Sequence, residues 1–414
     1  VGETEKEFLR GHFRSFYEAN DLPGVPELNS REFGIGDFGK KIVKRHMHFA
    51  DTRELNNYLK QSVPPYISYS AAYYQRAAAR PMEAKGFQGA DLIYEFDADD
   101  ISTKCKEEHD YWKCSSSECG AEGKGALQAC PKCGSGVTVK QWFCSECLGE
   151  TKKQTVRLLD VLSGELGFDD GISINFSGKA GYHVHVRSDA ARKLSKPARN
   201  ELIDYLTLSG FSLEAHGFGR SNQSMLACPI PSKSRGLTKR FMQRISSFIS
   251  NWNPEKLAVH GNIKRKQSKF LVENRETILK KMEQGILFPI PAARPDTSKK
   301  FWTLLIDEAM REESISLKID RQTSVDVHKI LRLPGSIHGG TGLVAKMLSF
   351  DEFKAFDPFV DGLAFEGEPV RVFINKSPKF SLGGESFQAF TETEQVLPLN
   401  AAIYLVASGR AVIG

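Results

Sequence analysis

The sequence predicts an α/β fold with two insertions, and three observations predict it. The first is an apolar run closing on acids, Asp91-Leu-Ile-Tyr-Glu-Phe-Asp-Ala-Asp-Asp100, which reads as a strand over 91–97. The second is the stretch Thr151 to Leu162, which has the apolar spacing of an amphipathic helix. The third is a pair of short strands, Ile172 to Phe176 and Tyr182 to Val186, separated by a glycine-containing loop.

Taken in chain order, the first eighty residues look helical, with Leu9, Phe13 and Phe16 at helix spacing, breaks at Pro23 and Pro26, and a Gly-rich loop at 34–39. From Ala190 to about Ser314 the pattern becomes helical and basic. Leu237, Phe241, Ile245 and Phe248 fall on one stripe, and Arg240 and Arg244 fall elsewhere. Strand and turn chemistry returns over Leu317 to Lys346, and the last sixty residues read as short strands and a closing apolar segment, Ala401 to Val406. The expected organisation is a discontinuous α/β core, 1–189 with 313–414, carrying a cysteine-rich insertion at 104–148 and a basic helical insertion at 190–312.

A chain of 414 residues, 40% hydrophobic and 26% charged, has ordinary globular composition and room for two or three domains. No apolar run approaches the length of a bilayer span, and Val1 to Arg14 is charged rather than signal-like, so the expectation is an intracellular protein with no membrane partner. The net charge of +5 is modest but uneven, because Lys233 to Lys281 holds many Lys and Arg and few acids. That stretch is a candidate track for nucleic-acid phosphates, against the plain reading of a solvated face.

Side chains two apart on a strand share a face, so Asp97, Asp99 and with them Glu95 are expected to crowd together, opposite Leu92, Tyr94 and Phe96. Two carboxylates about 4 Å apart repel by roughly 4 kcal/mol at an effective dielectric of about 20, which a divalent cation relieves. The plain alternative is an acidic strand end running into a turn.

Seven of the eight cysteines lie between Cys105 and Cys147, a clustering that points to metal rather than disulfides; Cys228 is read as a small buried hydrophobe. Cys114-x4-Cys119 and Cys130-x2-Cys133 have zinc-ribbon spacing. Outside them, Cys105-x3-His109 and Cys144-x2-Cys147 supply four more soft ligands, so the simplest count is two nested tetrahedral zinc sites, closed and structural. Reduced, unligated cysteines, or a single site, are the alternatives.

Two further segments carry binding chemistry. In Ser177-Gly-Lys-Ala-Gly-Tyr-His-Val-His-Val186, glycines admit close backbone approach by a phosphate, and His183 and His185 share a strand face; it is not a P-loop. In Leu317-Lys-Ile-Asp-Arg-Gln-Thr-Ser-Val-Asp326 and Ile330-Leu-Arg-Leu-Pro-Gly-Ser-Ile-His-Gly-Gly-Thr-Gly342, Asp320 is placed to complete a metal triad. There Arg332 and His338 flank a Pro-Gly turn as donors for phosphate oxygens.

These motifs in this order, preceded by Arg31-Glu-Phe-Gly-Ile-Gly-Asp-Phe-Gly-Lys-Lys41, closely resemble the catalytic small subunit of archaeal and eukaryotic DNA primase. The likeness runs through Pro64-Pro-Tyr-Ile-Ser-Tyr-Ser70 and Gly89-Ala-Asp-Leu-Ile93 to Ser408-Gly-Arg-Ala-Val412, with the helical insertion least marked. It implies a primase-type core of mixed sheets flanked by helices and a DNA-directed RNA polymerase of the nucleotidyltransferase class. Such an enzyme makes short RNA primers on single-stranded DNA from NTPs, with dNTP use left open. It further implies a heterodimer with a large subunit, contact with the replication machinery, and a cytoplasmic location if the source is archaeal. Residue by residue, the resemblance makes Asp97, Asp99 and Asp320 ligands of Mg²⁺ or Mn²⁺, with Asp326 the alternative third acid, and assigns the incoming triphosphate to Arg45, Ser177, Lys179, His183, Arg332 and His338.

The chain departs from the family pattern in three places. Ala180 and Gly340 stand where relatives often carry bases, leaving the phosphate clamp either weaker or completed by Lys346 or another base, and there are ligands for two zinc ions where many relatives have one small knuckle. A repair-type primase-polymerase with the same catalytic residues, and a zinc-containing nucleic-acid binding protein without turnover, are the competing functions.

Overall fold

The computed structural model describes residues 1–168, 170–210, 212–221, 225–251, 253, 265–287, 302–303, 306 and 316–414. The chain divides into two compact units, 1–199 with 318–414, and 200–317.

The larger unit is built on two four-stranded antiparallel sheets. Their strands are β1 (Phe33–Asp37), β2 (Lys40–Met47), β3 (Tyr66–Ser70), β4 (Leu92–Asp97), β5 (Ile172–Phe176), β6 (Gly181–Val186), β7 (Ile330–Arg332) and β8 (Lys346–Leu348). The first sheet has the order β7-β3-β1-β2 and the second β8-β5-β6-β4. In the second sheet, β6 pairs with β4 so that Gly181 stands opposite Asp97 and His183 opposite Glu95. Alternation then puts Tyr94, Phe96, Tyr182, Val184 and Phe176 on one face, where Phe353 packs edge-on to Tyr182 with ring centroids 5.0 Å apart. Glu95, Asp97, His183, His185 and Asn175 lie on the other face.

The two sheets are fastened where β3 ends and β4 begins. Ala71, Ile93 and Leu331 form a small buried cluster there. Beside it the buried Arg31 guanidinium donates to the Ser70 and Ala71 carbonyls (3.0 and 2.7 Å) and to Asp91 (3.2 Å), which also accepts from Tyr73 Oη (2.6 Å) and Arg187 Nε (3.2 Å). Removing one partner of such a buried pair leaves the other charge uncompensated, a cost of about 3–5 kcal/mol. The network therefore fixes where β4, and the acids at its end, stand against the first sheet.

The first eighty residues are less helical than their spacing suggests. Helices cover only Glu3–Ala19 and Thr52–Ser62, and the glycine-rich stretch between them is the β1–β2 hairpin. Its glycines serve close strand approach: a Cβ on Gly36 would strike the Lys41 carbonyl. Between Leu317 and Lys346 there is one three-residue strand, β7, and a short helix, Arg321–Val325; the apolar Ala401 to Val406 belongs to a buried helix, Leu399–Ala407. The helix expected over 151–162 begins earlier, at Ser145, and runs to Gly164.

The unit 200–317 carries helices such as Gly236–Ser250 and Arg275–Met282, and also a three-stranded antiparallel sheet of Gly219–Ser221, Met225–Ala227 and Ile286–Leu287. Met242, Ile245, Ile278 and Met282 are among its buried core, which includes Cys228. Parts of the basic segment expected here, 252 and 254–264, with 288–301, 304–305 and 307–315 beyond it, lie outside the described residues. Among the described residues no helix is long and apolar enough to cross a membrane.

Candidate active site

β4 ends at Asp97, and Ala98–Asp100 forms a single 3-10 turn capped by the Asp97 carboxylate, which accepts from the Asp99 N–H (3.2 Å). Asp99 therefore stands on a turn, not on the strand face that simple alternation gave it. Gly181 opposite Asp97 admits no side chain, since a Cβ there would strike the Phe96 carbonyl.

Asp320 reaches this strand end from 223 positions away in sequence. It caps the helix Arg321–Val325 by accepting from the Gln322 N–H (2.8 Å), and its own N–H donates to the Glu95 carbonyl (3.1 Å). The Thr323 hydroxyl is shared between the Asp320 carboxylate (2.7 Å) and the Glu95 carboxylate (2.5 Å). Asp320 is thus stitched to the residue two before Asp97.

The charges feel one another. Burial and the neighbouring Asp97 hold the Asp99 carboxyl above its usual range, against the pull of Lys179 and Lys106. Burial also raises Asp100, with Asp97, Asp320 and Glu95 adding to it. Glu95 goes the other way: burial alone would raise it, but His183 and Thr323 bring it down to about 2. Among the described residues, only the two Cys/His sets draw three or more ligand atoms within 4.8 Å of one another. The carboxylates of Asp97, Asp99 and Asp320 are therefore not all within that distance of one another, and Asp97 and Asp99 are neighbours that repel rather than part of a closed shell.

The two glycine-bearing segments meet beside these acids. Ser177 Oγ accepts from the N–H groups of Lys179 (3.4 Å) and Gly181 (3.2 Å), which shapes the loop between β5 and β6. Gly178, at φ +80°, lies against His338, and a Cβ there would come within 2.8 Å of the His338 Cβ. Thr341 Oγ1 donates to the Gly178 carbonyl (2.6 Å), closing the contact.

His338 is buried, edge-on to Tyr66 at 5.3 Å, and the Arg332 guanidinium lies 4.6 Å over the same ring. Burial, with Arg332, Lys179 and Lys41 nearby, holds His338 well below its ordinary pKa, so the ring is neutral. Its Nδ1 accepts from the Gly340 N–H (3.2 Å), which places the proton on Nε2 as a donor. Burial brings Arg332 down to about 10, and its Nη1 is buried without a partner. Lys179 stands 3.9 Å from Asp99 and 4.7 Å over Phe143, between the acids and the cradle.

Two residues assigned to the triphosphate are otherwise engaged. Arg45 forks onto the buried Glu32 (2.9 and 3.4 Å) and donates to the His328 carbonyl (3.2 Å). His183 Nε2 lies 3.3 Å from Glu95 Oε1, and its Nδ1 is buried without a partner. Glu95 stands where its two-residue spacing from Asp97 sets it, whereas nothing local in the sequence marks Thr323 or Tyr66 as site residues.

The cysteines sort into two sets, Cys105, His109, Cys144 and Cys147, and Cys114, Cys119, Cys130 and Cys133, each with four ligand atoms within 4.8 Å. The Sγ separations, 3.4 Å for Cys114 to Cys133 and 3.8 Å for Cys119 to Cys130 and Cys144 to Cys147, lie at or just below the roughly 3.8 Å of a tetrahedral zinc with 2.3 Å bonds. His109 turns Nε2 to Cys147 (3.3 Å) and Nδ1 to Asp110 (2.8 Å), whose carboxylate also accepts from the Trp142 N–H. A carboxylate on the far nitrogen is the arrangement that orients a metal-binding imidazole. Both sets can therefore hold a metal such as zinc.

A family model described as DNA primase small subunit matches residues 143–350. Similarity to curated relatives extends over almost the whole chain. The DNA primase small subunit PriS of Methanothrix thermoacetophila is 32% identical, with 98% of each chain covered. That of Nitrosopumilus maritimus is 29% identical with 100% of each chain covered, and that of Haloarcula marismortui 27% identical with 100% of this chain and 99% of its own. The chain therefore belongs to the DNA primase small subunit family.

Proposed function

We propose that this chain, as the catalytic subunit of a DNA primase, joins nucleotides on a single-stranded DNA template by two-metal nucleotidyl transfer, with Asp97, Asp99 and Asp320 holding Mg²⁺ or Mn²⁺. The observation that carries the reading is the stitching of Asp320 to the Asp97 strand, beside the cradle formed by the Ser177 and His338 loops. When bound, the metal pair activates the primer 3′-hydroxyl and neutralises the departing pyrophosphate.

The chain's own residues position and neutralise. Arg332, with a buried N–H free, and His338, with its Nε2 proton, donate to phosphate oxygens; Lys179 adds charge and Ser177 shapes the loop. His183 turns Nε2 to Glu95, which leaves Nδ1 as the nitrogen that could meet the ligand. Arg45 keeps Nη1 outside its Glu32 fork for the same ligand. The two Cys/His sets each hold one structural Zn²⁺. The relatives are named as small subunits, which supports a large-subunit partner for this chain as well.

The test is primer synthesis by the purified chain on poly-dT with ATP and Mn²⁺. Template-dependent products should appear, and should vanish in Asp97→Ala, Asp99→Ala and Asp320→Ala. Synthesis that survives in the Asp97→Ala, Asp99→Ala double variant refutes the assignment of the acids, and a parent that makes no product leaves a binding protein.

A further inference from the structure

The edge strand of the first sheet carries a base that neither glycine-bearing loop supplies. We propose that Lys41 is a further phosphate-binding residue of the cradle, standing in for the charge absent at Ala180 and Gly340 and contacting the polyphosphate of the incoming nucleotide. The inference deepens the function above and rests on it.

The placement follows from strand register. Gly36 on β1 pairs with Tyr66 on β3. On its other side β2 is irregular, with Ile35 opposite Lys44 and Asp37 opposite Lys40, so Lys41 falls beside Gly36, and their backbones are close enough that a Cβ on Gly36 would strike the Lys41 carbonyl. The row Tyr66, Gly36, Lys41 has no side chain at its centre. Tyr66 is the ring on which Arg332 and His338 both rest, so an exposed Lys41 can reach across the glycine toward them. The charge on Lys41 is felt at His338 together with those of Arg332 and Lys179.

Alternative bases are placed elsewhere. Lys346 is in register with Phe176, on the face of its sheet opposite Asn175 and His183, and its charge bears on Glu352. Lys40 pairs with Asp37, one position out of phase with Gly36. Among the described residues, of the three cations whose charges bear on His338 only Lys179 has a carboxylate within 4 Å, at 3.9 Å, and Arg332 Nη1 is buried without a partner. Convergent like charges of this kind are relieved by an anion, and a polyphosphate supplies several.

A template phosphate has the same chemistry, so the experiment separates the two sources. Lys41→Ala, Lys41→Arg and, as a control, Lys40→Ala are compared in the full chain. The measurements are KM for ATP and kcat on poly-dT with Mn²⁺, and binding of a labelled oligo-dT without nucleotide. Lys41→Ala should raise KM for ATP about tenfold, the size of one lost charge-assisted contact. In that variant oligo-dT affinity should stay within about twofold, Lys41→Arg should recover most of the loss, and Lys40→Ala should match the parent. Matching circular dichroism and melting would confirm that the variants are folded. An unchanged KM overturns the proposal, and so does an equal loss in oligo-dT binding, which would assign Lys41 to the template. Parent activity that persists without Asp97 and Asp99 instead refutes the underlying active-site reading, so the two failures are distinguishable.

Discussion

Asp99 shows what the site costs the fold. Its carboxyl is held above the usual range because it is partly desolvated beside Asp97, and the Lys179 ion pair that opposes this is long and partly exposed, worth well under about 1 kcal/mol. A carboxylate with a raised native pKa ionises more easily in the unfolded chain. From the ordinary carboxylate range upward its charge therefore subtracts from native stability, and the penalty disappears as the pH falls below that range. Asp99→Asn should accordingly melt above the parent at pH 7 without divalent ions, with the advantage shrinking at acid pH, while primer synthesis is lost. Adding Mn²⁺ should raise the melting temperature of the parent more than that of the variant. A variant that melts lower at pH 7 would mean that Asp99 is held by partners rather than strained. The Asp-x-Asp pair was legible in the sequence because its spacing is local. Thr323, which binds Glu95 from 228 positions away and so ties it to Asp320, was not, because strand and helix placement over that distance leaves no mark on the residues between.

The zinc region was the most legible element, since a ligand set is written in short spacings, and the two sets fall where those spacings nest. Its connection to the catalytic turn was hidden. Cys144 occupies the position just before the helix Ser145–Gly164, and Cys147 sits in the first turn of that helix, in a buried cluster with Ala98, Phe143 and Ala180. Ala98 lies between Asp97 and Asp99, and Ala180 follows Lys179, so the set Cys105, His109, Cys144 and Cys147 stands directly behind both the acids and the phosphate loop. The set Cys114, Cys119, Cys130 and Cys133 instead closes a separate three-stranded sheet of Tyr111–Cys114, Glu122–Lys124 and Val137–Lys140. Cys133→Ser and Cys147→Ser should each lower the zinc content from about two to about one per chain by elemental analysis. Cys147→Ser should cost distinctly more primer synthesis and melt earlier, because it opens the cluster under the turn. Equal losses in the two variants would show that the region acts as one unit. Elsewhere glycine misled the reading of elements: Gly34 and Gly36 look like loop residues but lie within β1, where neighbouring backbone and side chains crowd them.

At the scale of the whole molecule, the charge distribution sets how the chain meets a polyanion. Between Lys233 and Lys281 there are thirteen Lys and Arg against three acids, so with a total of +5 the remainder of the chain is net acidic. An acidic remainder contributes no general attraction to DNA, and phosphate contacts are expected to concentrate in this segment. The helix Gly236–Ser250 buries Phe241, Met242, Ile245 and Ile249 on one stripe, leaving its bases outside the core; Lys233, Arg235 and Lys239 at its start are exposed. Each phosphate contact on single-stranded DNA releases counterions and contributes about 0.7 to the slope of log affinity against log salt. Replacing Lys233, Arg235 and Lys239 together by Ser should therefore flatten that slope for oligo-dT binding by about 2. The loss should be the same on oligo-dA, because contacts to the backbone carry no sequence information. The turnover rate at saturating template should be preserved, since none of the three belongs to the acids or the phosphate cradle. A slope unchanged in the triple variant would make this charged face a solvated one, and would move the search for the template track to the bases of the larger unit.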